Sequence, residues 1–121
     1  PCARISAALK AKYPDLPVIM FPKGVGAMTA RFAASGAFAC IGLDSSTPPE
    51  WAAATVQQHC AVQGNLDPML LLVGGETMKE AASEIVQALA GGQHIFNLGH
   101  GVVPQTDPDQ VARLSDAIRG R

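Results

Sequence analysis

His94-Ile95-Phe96-Asn97-Leu98-Gly99-His100-Gly101 is a mostly apolar run of strand length that breaks into a histidine flanked by two glycines. Just before it, Gly91-Gly92 closes a helical pattern in which Met78, Ala81, Ile85 and Leu89 share one face. Just after it, Thr106-Asp107-Pro108-Asp109 caps a last helix carrying Val111, Leu114 and Ile118. An apolar strand set between two amphipathic helices is covered by them, which is the environment of a strand in a parallel sheet. The same unit recurs along the chain.

Towards the N-terminus, Thr77-Met78-Lys79-Glu80 has the order of a capping box and opens the helix that Gly91-Gly92 closes. Met69 to Val73 is an apolar patch whose type the pattern leaves open. Ala61 to Leu66 reads as a strand ending in Gly64-Asn65-Leu66-Asp67-Pro68. Thr47-Pro48-Pro49-Glu50 places Thr at N-cap, Pro at N1 and Glu at N3 of a helix that runs to about His59. Phe38 to Leu43 is another strand, and Met28, Phe32 and Ala33 line a helix ended by Gly36. Pro17 to Phe21 is a short apolar strand. Ile5, Leu9 and Tyr13 recur at every fourth position, so residues 2–13 read as an amphipathic helix stopped by Pro14. Helices and strands therefore alternate, with strands starting near residues 18, 39, 61 and 94. The class is α/β with parallel strands and right-handed crossovers. A four-stranded doubly wound sheet and half of a (β/α)8 barrel both fit, and periodicity does not choose between them.

The 121 residues are the length of one ordinary domain. At 48% hydrophobic and 16% charged, with mean hydropathy +0.18, the chain is not intrinsically disordered. Nine Lys and Arg against ten Asp and Glu leave a net charge of −1, which argues against nucleic-acid or membrane-surface partners. Cys2, Cys40 and Cys60 are odd in number and widely spaced, with no CxxC pair, so they read as unpaired thiols in a reducing, cytoplasmic compartment. Cys40, inside Phe38-Ala39-Cys40-Ile41, reads as a small core residue. No apolar run approaches the ~20 residues that span a bilayer, and Pro1-Cys2-Ala3-Arg4 has no secretory pattern.

Both architectures place ligands beyond the C-terminal ends of the strands. The polar residues gather there: Lys23-Gly24-Val25-Gly26 after the first strand, Asp44-Ser45-Ser46 after the second, Asn65 and Asp67 after the third, and Asn97, Gly99, His100 and Gly101 after the fourth. Gly24-Val25-Gly26 with Thr29, and Asp44 at the next strand end, resemble a dinucleotide fingerprint. The third glycine is missing, however, and Pro22-Lys23 separate strand from turn. A more modest reading makes Lys23 and the following helix N-terminus an anion site, and a plain glycine turn fits as well. His59 and Cys60 match no further ligands at helical spacing, so they read as a surface His and a packed Cys. His94 carries no signal. His100 differs, because glycines on both sides permit close approach of a ligand to a side chain that hydrogen-bonds anions. Asp44 and Asp67 suit turns or caps equally well.

Phe96 to Pro104 followed by Thr106-Asp107-Pro108 resembles the C-terminal signature of the uroporphyrinogen decarboxylase family. Gln63-Gly64-Asn65-Leu66-Asp67-Pro68, Ile41-Gly42-Leu43-Asp44 and Pro17 to Lys23 are similar to segments of the same family, in order and with fitting spacing, although Ser45 stands where many members carry Trp. The resemblance implies that residues 1–121 are the C-terminal part of a (β/α)8 TIM barrel, contributing about four parallel strands. It implies a carboxy-lyase that converts the four acetate side chains of uroporphyrinogen III to methyls, giving coproporphyrinogen III in haem biosynthesis, as a cytosolic homodimer without metal or organic cofactor. His100 falls on the family's strand-end histidine and is expected to contact substrate, with Lys23 and Asn97 beside it. No catalytic residue is expected within the chain, because the family's essential Asp belongs to an upstream segment. The chain alone is therefore expected to be inactive and to need the N-terminal part of the barrel as its partner. Two alternatives stand beside this reading. One is a cobalamin-dependent methyltransferase of the same superfamily, whose members bind zinc and typically carry Cys where this chain has His100, so that the His favours the decarboxylase. The other is a non-catalytic α/β binding module.

Overall fold

The computed structural model describes residues 1–120. Its elements are α1 (Cys2–Lys12), β1 (Ile19–Met20), α2 (Met28–Ala34), β2 (Cys40–Gly42), α3 (Pro49–Thr55), β3 (Ala61–Leu66), α4 (Pro68–Val73), α5 (Gly75–Ala88), β4 (His94–Leu98) and α6 (Pro108–Ile118). All four strands are parallel and neighbours follow chain order, β1-β2-β3-β4. That order decides the architecture. A doubly wound sheet reverses its strand order part-way, so that right-handed crossovers dress both faces. Here no reversal occurs, every crossover turns the same way, and the helices collect on one face, as in a (β/α)8 barrel.

The register sorts the side chains accordingly, because paired residues of parallel strands point to the same face. Met20, Ile41 and Val62 lie in one row, and Leu66 pairs with Leu98; these residues belong to the core under the helices, with Leu43, Leu71, Met78 and Leu89. The opposite face carries the row Gly42, Gln63 and Ile95, with the Phe21 ring lying against Gly42. This second face is open, and Ile19, Phe21 and Ile95 are each about half exposed there.

Several boundaries differ from the sequence-based expectation, for local reasons. The patch Met69 to Val73 is helical, because Asp67 accepts a hydrogen bond from the Met69 N–H at 2.9 Å and Pro68 holds the first helical position. Gly74, at φ +69°, ends that helix and starts α5 at once, so Thr77 lies inside α5 and forms no capping box. Thr47 does not cap α3 either; its hydroxyl donates to Asp44, and Pro48 takes the N-cap position. α3 stops at Thr55, short of His59, because the N–H groups of Val56 and Gln57 both return to the Ala52 carbonyl. Helix α1 forms as expected, yet its Ile5, Leu9 and Tyr13 stripe faces outward, and its one buried residue is Ser6, whose hydroxyl donates to Ala37 O. No helix among the described residues is long and apolar enough to cross a membrane.

Candidate functional site

Parallel strands bring four loops to one end of the sheet: Lys23–Gly26, Asp44–Thr47, Asn65–Asp67 and Asn97–Gly101. Two of the three residues singled out in the sequence meet there directly. Lys23 Nζ lies 2.9 Å from His100 Nε2, across 77 positions of sequence and at the exposed rim. An ammonium has only donors, so Nε2 accepts and the ring proton of the neutral imidazole sits on Nδ1. Asn97 stands close by in sequence, with its Oδ1 accepting from the Leu98 N–H at 2.8 Å, which leaves its amide hydrogens free to donate.

His100 and Asn97 line an open cavity of about 610 Å³ on the undressed sheet face, with Phe21, Gly42, Gln63 and Val102. The cavity is apolar at Phe21 and Val102, and polar at Gln63, Asn97 and His100. It therefore suits a flat, mainly apolar molecule with anionic groups at its edge. Sequence reasoning missed Phe21 and Gln63. For Gln63 a signal existed, since a long polar side chain within the strand Ala61 to Leu66 is out of place in a core and fits a register position facing a lumen.

The Asp44–Thr47 loop binds the other loops together. Asp44 Oδ2 accepts from the Gly24 N–H at 2.8 Å, and Oδ1 accepts from the hydroxyls of Ser46 and Thr47 at 2.7 and 3.0 Å and from the Ser46 N–H at 3.2 Å. Burial pushes this carboxyl up, but those bonds outweigh it and hold the group below the ordinary Asp range. Asn65, almost fully buried, donates from Nδ2 to the carbonyls of Asp44 and Thr47 at 2.8 and 2.7 Å. Gly99 passes so close to the backbone of Ser45 that a Cβ would collide with it. Gly64 is equally constrained: φ is +143°, and a Cβ would sit 2.7 Å from the Leu43 carbonyl oxygen.

This arrangement answers the dinucleotide reading. Gly24 and Asp44, the two groups that reading reserves for a ligand, bond each other. The anion facing the first N–H of the Gly24–Gly26 turn is the chain's own carboxylate. Asp67 is likewise spent, as the cap of α4. His59 is exposed, and His94 donates from Nε2 to Gly64 O at 2.7 Å, so neither belongs to the rim. Among the described residues no three His, Cys, Asp or Glu side chains converge on a point where a metal ion would sit.

A family model described as uroporphyrinogen decarboxylase matches residues 1–121. The chain belongs to the uroporphyrinogen decarboxylase family. Among curated relatives, the uroporphyrinogen decarboxylase of Paracoccus denitrificans is 52% identical over 120 residues, covering 99% of this chain and 35% of the relative. That of Rhodospirillum rubrum is 49% identical over 98% of this chain and 34% of its own length, and that of Roseobacter denitrificans 47% identical over 100% and 35%. The chain thus spans about a third of the length of these relatives. Membership in the uroporphyrinogen decarboxylase family agrees with four successive strands in barrel order. All of these relatives are named decarboxylases, and the methyltransferase alternative gains nothing from them.

Proposed function

We propose that this segment forms part of the substrate-binding rim of a uroporphyrinogen decarboxylase, a carboxy-lyase that converts the four acetate groups of uroporphyrinogen III to methyls. The observation that carries the reading is the Lys23–His100 pair at the edge of the open cavity, in a chain of this family. A tetrapyrrole with eight carboxylates needs an apolar floor and cationic or donating groups around it. Phe21 and Gly42 suit the floor, and Lys23, His100 and the Asn97 amide suit the edge.

In each round the pyrrole takes a proton at ring carbon. The bond between the acetate methylene and its carboxyl then breaks, and the electron pair enters the protonated ring. Carbon dioxide leaves, the methylene carbon takes a proton to become methyl, and the ring carbon gives up the proton it took, which restores the aromatic pyrrole. Lys23 and His100 hold carboxylates that are not reacting, which orients the ring. The group that stabilises the charge developing on the pyrrole belongs to the part of the enzyme outside these residues. Free thiols at Cys2, Cys40 and Cys60 support a cytoplasmic enzyme, and the family resemblance supports a homodimer.

The test is the intact polypeptide with uroporphyrinogen III. Four molecules of carbon dioxide per tetrapyrrole are expected, and absence of release overturns the reading. Lys23→Met and His100→Ala should each raise KM roughly tenfold, the worth of one charge-assisted hydrogen bond. If KM stays unchanged in both, the substrate site lies elsewhere.

A further inference from the structure

The geometry points to Asp44 as a positioning residue: its carboxylate clamps the backbone beside Lys23 and thereby holds the Lys23 ammonium against His100. The inference rests on the reading of Lys23 and His100 as substrate contacts and assigns a role to a residue that reading leaves idle.

Three observations carry it. First, the carboxylate is used up. Four donors fill it, from Gly24, from Ser46 twice and from Thr47, so it is unavailable as a base or as a ligand for substrate. Second, only one of those donors lies outside its own loop, and that donor is the N–H of the residue following Lys23. The other backbone bonds of the Lys23–Gly26 turn are local, from the Lys23 N–H to Phe21 O at 3.1 Å, from the Met28 N–H to Val25 O at 3.2 Å and from the Thr29 N–H to Gly26 O at 3.0 Å. The Asp44 bond is therefore the one that ties this exposed turn's backbone to the neighbouring loop. Third, the anchor is itself held. The Asp44 carbonyl accepts from the buried Asn65 amide, and Ser45 packs on Gly99, the residue before His100. Asp44 therefore stands between the two members of the pair, tied by a hydrogen bond to Gly24, next to Lys23, and by backbone packing to Gly99, next to His100. A long lysine side chain loses rotamer freedom on being fixed, so a clamped backbone under it lowers the cost of keeping the pair assembled.

The experiment is a double-mutant cycle in the intact polypeptide, with Asp44→Ala and Lys23→Met alone and together. It is read by KM for uroporphyrinogen III and by the imidazole nitrogen resonances of 15N-histidine-labelled protein. Asp44→Ala should raise KM roughly tenfold and move the His100 resonances in the same direction as Lys23→Met. In the Lys23→Met background it should add nothing to either readout. Asp44→Asn should recover part of the loss, because its Oδ1 can still accept from Gly24 and its amide can donate to the two hydroxyls, while the Ser46 N–H loses its acceptor. Equal losses from Asp44→Ala with and without Lys23, or an unmoved His100 signal, overturn the inference. If Lys23→Met leaves KM unchanged while both variants shift the His100 resonances alike, the substrate reading fails and the clamp stands. Should Asp44→Ala not fold, Thr47→Val removes one of the four bonds and should shift both readouts less, in the same direction; no shift overturns the clamp.

Discussion

Cys40 and Asp44 lie four positions apart and show how burial acts on a titratable group with and without partners. Desolvation raises the Cys40 thiol, and the neighbouring Cys60 adds to it, bringing it to about 11. The thiolate is the reacting species. Cys40 should therefore stay unmodified by iodoacetamide at pH 8 while the chain is folded, and become reactive on unfolding or as the pH approaches 11. Peptide mass mapping checks this, and alkylation of folded protein at pH 8 would contradict it. The core role of Cys40 was legible in the sequence, because a small thiol inside an apolar run has nowhere else to go. The Lys23–His100 pair was legible only through the rule that strand ends converge. Nothing local links positions 77 apart, and glycine flanks marked one partner alone.

At the scale of elements, strand positions were legible because β1, β2 and most of β4 are apolar runs bounded by punctuation, while β3 alternates apolar Val62 and Leu66 with polar Gln63 and Asn65, and the element order followed. Helix starts were not, because a capping motif is local while the competition for its hydroxyl is not. Thr47 reads as an N-cap, yet its hydroxyl donates to Asp44, three residues earlier, and the N-cap position falls on Pro48. Thr77 reads as one until the Gly74-Gly75 turn starts α5 ahead of it. Where Asp precedes Pro, the local signal held: Asp67 and Asp107 each accept the N–H two residues on and cap α4 and α6. Asp107→Ala should thus lower stability of the intact polypeptide by ~1 kcal/mol in urea unfolding, with KM unaltered. A KM change would mean that α6 reaches the site.

For the whole molecule, the undressed sheet face and the two outer strands, β1 and β4, decide how the chain behaves by itself. Outer strands present unpaired backbone N–H and C=O groups, and half-exposed Ile19, Phe21 and Ile95 add apolar surface beside them. Expressed alone, the 121 residues should associate with themselves and release no carbon dioxide from uroporphyrinogen III. Sedimentation velocity and the decarboxylase assay check both, and a stable monomer or an active one would count against the barrel reading. Adding the remainder of a family barrel as a second chain should restore a 1:1 complex with activity. Strand order carries the deeper consequence. Because the strands never double back, a family barrel built on this order has one arc of polypeptide that meets β1 with one end and β4 with the other, and it closes like a clasp. Neither side of a clasp holds until both are engaged, so closure of such a barrel is all-or-none.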